Sequence, residues 1–172
     1  MKKILDPVAP KPEAFILRKA PLIQGVVTRA LKPMPDGRGR LMEILRTDWP
    51  EFMRFAQAYM TTAYPGVVKA WHYHLKQTDH FVCVSGMLKL VLYDGRKNSK
   101  TLRAVNEFFM GEHQPVLVRI PTRVYHGFKC IGLKECVLIN MPTEPYDYKK
   151  PDEFRLPAHT RKIPYDWGKV DG

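Results

Sequence analysis

The chemistry of this chain is concentrated in one segment, residues 66–86, which reads GVVKAWHYHLKQTDHFVCVSG. Two runs rich in β-branched and aromatic residues, Val67 to Tyr73 and His80 to Val84, flank a short polar stretch. This pattern predicts two strands joined by a turn. Side chains two residues apart on a strand point to the same face, so His72 and His74 present both imidazoles to one space.

Similar strand-like runs continue on both sides of this segment. With 15 prolines and 11 glycines, the chain has little room for helices of about 11 residues but enough for strands of about five. The predicted fold class is all-β, a sandwich or barrel. One short helix is predicted from Asp48 to about Ala56, because Pro50 stands early in it and Asp48 or Thr47 can cap it. The predicted strands are Gln24 to Ala30, Leu41 to Leu45, Val67 to Tyr73, His80 to Val84, Met87 to Tyr93, Val116 to Ile120, Val124 to Ile131 and Glu135 to Met141.

The 172 residues are interpreted as a single domain, because the sequence contains no repeat, low-complexity segment or linker. Residues 1–20 are expected to form an amino-terminal arm and residues 143–172 an extended carboxyl-terminal segment, which wrap the core or reach a neighbouring subunit. No apolar run approaches the ~18 residues of a membrane span, and no signal peptide is recognisable, so a cytoplasmic location is expected. The cysteines are expected to be buried free thiols; they are Cys83, Cys130 and Cys136.

The charge balance bears on the kind of ligand. The chain has 28 Lys and Arg against 17 Asp and Glu, a net charge of +11. Such a field attracts anions toward any cleft that it lines. The basic residues are scattered and are not interleaved with regularly spaced aromatics, so neither nucleic acid nor a membrane is expected as a partner. An anionic small molecule is the predicted ligand.

A third histidine follows a proline-marked turn in residues 120–128, IPTRVYHGF. The combined spacing, Gly-x5-His-x-His-x4-Asp-x6-Gly followed by Pro-x4-His, resembles the two sequence motifs of the cupin superfamily. Asp79 stands where glutamate is usual, and Arg123 stands where the second motif usually has glycine. The resemblance implies a cupin jelly-roll barrel, which agrees with the strand count.

From about Leu31 to Trp167, the chain resembles the cupin branch of dTDP-4-dehydrorhamnose 3,5-epimerase. Residues 36–43, DGRGRLME, are similar to a family segment whose arginine and glutamate bind the nucleotide sugar, which implies that role for Arg38 and Glu43. Residues 66–73 are similar to the strand that carries the catalytic histidine, here His72, and a diphosphate-binding arginine, here Lys69. Residues 121–128 resemble the family's turn ending in His-Gly-Phe. The resemblance also implies a homodimer and no cofactor.

Three departures from that family matter for catalysis. Its enolate-stabilising lysine falls near Asp79, its catalytic tyrosine falls near Asn140, and no aspartate lies near Ala158 or His159 to pair with the catalytic histidine. The sequence His72-Tyr73-His74-Leu75-Lys76 instead resembles the dTDP-sugar 3,4-ketoisomerases, which keep His-x-His-Lys.

Both families exchange a proton beside a sugar ketone, and a histidine suits that role because its neutral form accepts a proton near neutral pH. We therefore expect His72 to be the base, with His74 or Lys76 meeting the enolate charge and Tyr146 replacing the missing acid. Arg38 and Lys69 would bind the two phosphates. Tyr59, Tyr64 or Trp71 would flank the thymine, and Glu43 and His126 complete the predicted substrate contacts.

Two alternatives to a metal-independent epimerase or ketoisomerase of a dTDP-4-keto-6-deoxy sugar remain open. In the first, a metal-dependent cupin enzyme holds Fe, Mn, Zn or Ni through His72, His74, Asp79 and His126. In the second, the chain is a non-catalytic module that binds a sugar nucleotide.

Overall fold

The computed structural model describes residues 16–17 and 21–168, and the arrangement of strands in these residues is a jelly-roll sandwich. The strands are β1 (Ile16–Leu17), β2 (Val27–Ala30), β3 (Met34–Asp36), β4 (Gly39–Leu41), β5 (Tyr59–Ala63), β6 (Val68–Tyr73), β7 (Asp79–Ser85), β8 (Met87–Tyr93), β9 (Val105–Gly111), β10 (Val116–Ile120), β11 (Tyr125–Cys130), β12 (Cys136–Asn140) and β13 (Phe154–Arg155). One sheet has six strands in the order β1-β9-β8-β11-β6-β13, and the facing sheet has five in the order β2-β10-β7-β12-β5. The all-β cupin prediction is confirmed.

The space between the two sheets is apolar at one end and polar at the other. Strand alternation directs every second side chain inward, so that Phe81, Leu90, Phe108 and Leu138 are buried in one core cluster. The same alternation directs Asp79 on β7 and Asn140 on β12 inward at the polar end. The three cysteines are buried free thiols, as predicted.

The ends of the chain differ in what is described. The predicted arm of residues 1–20 lies outside the described residues except for β1, which pairs with β9. Within the predicted segment of residues 143–172, β13 pairs with β6. Beyond β13, Ile163 and Trp167 pack with Trp71 on the outer face of the six-stranded sheet. In the described part of the chain, no helix has the length and apolar character needed to cross a membrane.

The predicted helix from Asp48 to Ala56 is wrong. The described residues contain no helix, and residues 47–51 form turns. In a helix, the carbonyl of Glu51 would accept a hydrogen bond from the residue four positions later. It accepts one instead from Nε2 of His80, at 3.0 Å, and another from Arg119, at 3.2 Å. Because these side chains come from β7 and β10, tertiary contacts occupy the carbonyl that a helix needs.

Strand β6 contains a bulge that determines which of its residues point inward. His126 on β11 is opposite His72, whereas Phe128 is opposite Lys69, so β6 has one more residue than β11 between these pairs. Phe128 belongs to the inner core, so Lys69 and His72 both face inward while Trp71 faces outward. Gly127 lies against the bulge, where a Cβ would be 2.3 Å from the Cβ of Ala70.

We therefore expect Gly127→Ala to destabilise the protein by about 1–3 kcal/mol, because the new methyl group can be accommodated only by moving β6. Chemical unfolding of the variant measures the effect. Gly37→Ala is the matched control, because a Cβ at Gly37 has no atom within 4 Å. Equal stability of the two variants would contradict the role assigned to the bulge.

Candidate active site

At the polar end, β5, which is the edge strand of the five-stranded sheet, and β6 in the facing sheet both carry exposed residues. We call the space between these two strands the cleft. Tyr59, Thr61 and Ala63 alternate inward on β5, and Ala63 belongs to the inner core. Lys69 on β6 donates a hydrogen bond from Nζ to Oγ1 of Thr61 at 3.0 Å. The inward faces of β5 and β6 therefore face each other across the cleft.

The structure brings three predicted site residues together at this end of the interior. His72 is on β6, His74 follows that strand, and His126 is on β11. The ring centroids of His72 and His126 are 4.0 Å apart, and the ring of His74 is 5.6 Å from each of the other two. The histidines thus form one triad inside the sandwich.

Asp79, the first residue of β7, supplies the carboxylate of the site. Its Oδ1 accepts hydrogen bonds from Gln77, at 2.6 Å, and from Asn140, at 2.7 Å. Its Oδ2 is 3.4 Å from Nε2 of His74 and 3.3 Å from Nε2 of His126. Burial alone would raise the pKa of Asp79, but the close contact and charge of His126, with the charge of His74, hold it well below its usual range. Asp79 is therefore a buried carboxylate shared by two imidazoles.

The orientation of the rings of His74 and His126 is set by the hydrogen bonds at their Nδ1 atoms. Nδ1 of His126 is 3.0 Å from the carbonyl oxygen of Val124, and Nδ1 of His74 is hydrogen-bonded to the carbonyl oxygen of Asp152. A carbonyl only accepts, so each Nδ1 donates a proton, and each Nε2 faces Asp79. The buried Nε2 of His126 has no well-aligned hydrogen bond. The site thus offers two positions at which a proton can be held between an imidazole and the carboxylate.

His72 has a different environment from its two neighbours. Among the described residues, no hydrogen bond to its ring is found, and the side chain is only partly buried. Burial, and next the charge of His126, lower the pKa of His72 well below its usual value of 6.5, while the charge of Asp79 acts in the opposite direction. His72 is consequently held as a neutral imidazole, able to accept a proton from a molecule in the cleft.

Two residues of the carboxyl-terminal segment, to which the sequence analysis assigned no role, lie beside the triad. The carboxylate of Asp152 accepts hydrogen bonds from the backbone amides of Leu75, Lys76 and Gln77, at distances from 2.8 to 3.1 Å. Arg155 on β13 pairs with His72 in the strand register. Neither residue belongs to a periodic pattern, so strand periodicity could not identify them.

The other predicted site residues have no contact with the triad within the described ranges. The exposed Arg38 binds Asp36 beside the β3–β4 hairpin, and Glu43 pairs with Arg46 at 2.5 Å. Lys76 lines a rim cavity of about 480 Å³ with Arg54 and Arg119. Tyr146 packs edge-on against Tyr148.

Trp71, one of the three aromatic residues expected to flank the thymine, does not face the interior. It is buried on the outer face of the sheet, where it packs against Trp167 and donates from Nε1 to the carbonyl of Ala158 at 3.2 Å. The bulge in β6 turns this side chain outward. Tyr59 and Lys69, in contrast, line the cleft.

The triad also fits a metal ion. One ring nitrogen from each of His72, His74 and His126 lies within 4.8 Å of the others. The Nδ1 contacts of His74 and His126 with main-chain carbonyls resemble the outer contacts that orient metal-bound histidines. Asp79 would add a carboxylate, and an ion held there would polarise a substrate oxygen.

Comparison with known proteins gives consistent matches. A family model described as the polysaccharide biosynthesis C-terminal domain matches residues 34–154. The chain is 46% identical to the probable low-salt glycan biosynthesis epimerase of Haloferax volcanii, over 86% of this chain and 96% of that protein. It is 38% identical to the spore coat polysaccharide biosynthesis protein SpsL of Bacillus subtilis, over 85% and 97%. The solved dTDP sugar isomerase from Desulfovibrio desulfuricans superimposes with a TM-score of 0.82 at 30% identity, covering 87% of this chain and 94% of that one.

Proposed function

Because this chain belongs to the polysaccharide biosynthesis C-terminal domain family, we propose that it exchanges a proton next to the ketone of a dTDP-4-keto-6-deoxy sugar. The resemblance to the dTDP-sugar epimerase branch of the cupins is confirmed by its epimerase and isomerase relatives. The chain is an isomerase of this sugar-nucleotide class. We propose, beyond this class, that the nucleotide is dTDP, that the sugar is a 4-keto-6-deoxy sugar and that the carbon next to its ketone reacts.

One observation carries the proposal: the imidazole of His72, which has no described hydrogen bond, lies beside a buried carboxylate that two further imidazoles share. His72 removes the proton from the carbon next to the ketone, and the electron pair of the broken C–H bond moves into the enolate. A proton held between Asp79 and Nε2 of His74 or His126 is positioned to meet the charge on the enolate oxygen. This pair of imidazoles takes the role that a lysine has in the 3,5-epimerases.

The substrate's diphosphate is assigned to cations at the cleft. Lys69 is exposed there, and Arg155 is exposed beside His72, although it also pairs with Glu153 at 2.7 Å. The net charge of +11 favours the approach of such an anion. Tyr59 and His126 are proposed to contact the sugar, since both side chains face the same interior space.

The remaining predicted contacts require a second copy or a rearrangement. Arg38 and Glu43 lie by the exposed hairpin, so we propose that they act in a homodimer, the commonest closed assembly. Lys76 and Tyr146 remain predicted to act in the reaction, Lys76 on the enolate charge and Tyr146 as an acid. The three free thiols support a reducing compartment such as the cytoplasm.

The function is tested by incubating the protein with dTDP-4-keto-6-deoxyglucose in deuterated water. We expect deuterium at carbon 3 or carbon 5, detected by NMR and mass spectrometry, because the abstracted proton exchanges with solvent. Boiled protein is the control for the spontaneous exchange of a hydrogen next to a ketone. Exchange no faster than in this control would contradict the proposal.

A metal-dependent cupin enzyme is the second candidate, and the three converging imidazoles favour it. Elemental analysis of protein purified without a tag distinguishes the two functions. About one metal ion per chain, with activity lost on chelation and restored by that metal, would support the second candidate. Full exchange activity in metal-free protein would support the first.

A further inference from the structure

We propose that the hydroxyl of Tyr59 delivers a proton to the enolate carbon from the face opposite His72, so that the enzyme inverts that carbon. This inference rests on the proposed function and assigns Tyr59 a catalytic role beyond contact with the sugar. It follows from the position of Tyr59 across the cleft, the direction of its hydrogen bond, and the acidity of its phenol.

The position of Tyr59 is set by the two facing sheets. Tyr59 and Thr61 share the inward face of β5, and Lys69 and His72 share the inward face of β6. The hydrogen bond from Lys69 to Thr61 spans these two faces. A sugar ring that enters the cleft between the sheets therefore has His72 on one side and Tyr59 on the other.

The direction of the hydrogen bond at Tyr59 follows from Asn140. Oδ1 of Asn140 accepts from the backbone amide of His80 at 3.1 Å, so the amide group of Asn140 has a defined orientation. Its Nδ2 donates to Asp79 at 2.7 Å and to the Tyr59 hydroxyl oxygen at 2.9 Å. Tyr59 thus accepts from Asn140, and no acceptor for its own proton is found among the described residues. That proton is free to point into the cleft.

The phenol is suited to donate a proton rather than to remove one. Burial, and next the charge of Asp79, raise the pKa of Tyr59 to about 12. The hydroxyl therefore keeps its proton through the neutral range, and the phenolate formed by donation is stabilised by the amide of Asn140. The side chain is 41% exposed, so water can return the proton.

The step balances over one turnover. His72 gains the proton of the broken C–H bond, and the electron pair enters the enolate. The pair returns to form a new C–H bond with the proton of Tyr59 as the O–H bond breaks, and the carbonyl is restored. Water then takes the proton from His72 and supplies one to the phenolate, and no oxidant or reductant is needed.

The test is Tyr59→Phe, which removes the hydroxyl and keeps the ring. The matched control is Tyr93→Phe, at a tyrosine of β8 that packs on the outer face of the six-stranded sheet, away from the cleft. With dTDP-4-keto-6-deoxyglucose in deuterated water, we expect Tyr59→Phe to keep exchanging the hydrogen next to the ketone through His72. Formation of the inverted sugar should fall by about 10²-fold, because a positioned acid is lost.

Each outcome of this comparison decides the inference. Inversion in Tyr59→Phe at the rate of Tyr93→Phe would overturn it. Equal loss of exchange and of inversion would also overturn it, since Tyr59 would then act in binding or positioning. The affinity for dTDP and the unfolding temperature, measured on both variants, verify that the cleft is intact. If Tyr59→Phe does not fold, 3-fluorotyrosine is incorporated at position 59 instead. This substitution must shift the pH profile of inversion but not that of exchange. Absence of both reactions in the unaltered enzyme would overturn the proposed function itself.

Discussion

Replacement of His72 by asparagine is expected to lower the rate of hydrogen exchange next to the ketone by about 10⁴-fold, the upper end of the range for a positioned base. His72 is the triad member without a described hydrogen bond to its ring, so it is the imidazole free to take a proton. His74 and His126 each have Nδ1 on a carbonyl and Nε2 toward Asp79. Neither can replace His72 without breaking a contact.

The measurement is deuterium incorporation into the keto sugar at saturating substrate. His113→Asn is the matched control, because His113 is an exposed histidine in the turn between β9 and β10. Affinity for dTDP should be unchanged in both variants, since the base does not bind the diphosphate. Exchange in His72→Asn at the rate of His113→Asn would show that another group is the base.

The pH dependence of the unaltered enzyme gives a further check on His72. The base acts in its neutral form, and the pKa of His72 is lowered well below 6.5. The neutral form therefore persists to lower pH than in an ordinary histidine, and the acidic limb of the kcat/KM profile should lie well below pH 6.5. A limb at or above that value would contradict the assignment.

Asp79→Asn is expected to lower kcat by about 10³-fold, the second of the two largest effects. The side chain is buried and nearly the same shape as asparagine, so the variant removes the charge with little change in packing. An amide in place of the carboxylate carries no charge that would hold a proton at Nε2 of His74 or His126. No proton would then be held there for the enolate oxygen, so the stabilisation of the developing charge would be lost.

The measurement separates kcat from KM. Asp79 does not reach the exposed cations at the cleft, so KM should change little. Asp166→Asn is the matched control, at an exposed aspartate whose described contact is with the backbone of Gly168. A kcat within a few-fold of this control would contradict the role of the shared carboxylate.

Stability offers an independent readout for Asp79. Its pKa is lower in the folded chain than the ordinary value of 3.8. The stability that this shift contributes is therefore present above the ordinary pKa and is lost as the pH falls toward the folded value. Asp79→Asn should accordingly lose less stability than the unaltered protein when the pH is lowered from about 5 to about 3.

Much of the fold could be predicted from local pattern. Alternating apolar runs correctly placed strands β7, β8 and β10, and the spacing of His72, His74 and His126 indicated a cupin. Strand β9 was missed because charged and polar residues interrupt it, although Asn106 within it is fully buried and accepts from the amide of Ile23. The helix prediction failed where side chains from other strands took the carbonyl of Glu51.

The all-β class, the shared direction of His72 and His74 and the attraction for an anion could be predicted from the sequence alone. Strand periodicity and net charge are properties of neighbouring residues and of composition. The cupin spacing already grouped Asp79 with the three histidines. The packing of the sheets then determines that its Oδ2 is shared by His74 and His126, that Asn140 contacts Tyr59, and that Asp152 binds the amides after His74. These partners are separated by as many as 81 positions. Such contacts depend on the packing of two sheets against each other and on a one-residue bulge in β6. Neither feature can be predicted from residues that are close together in the sequence.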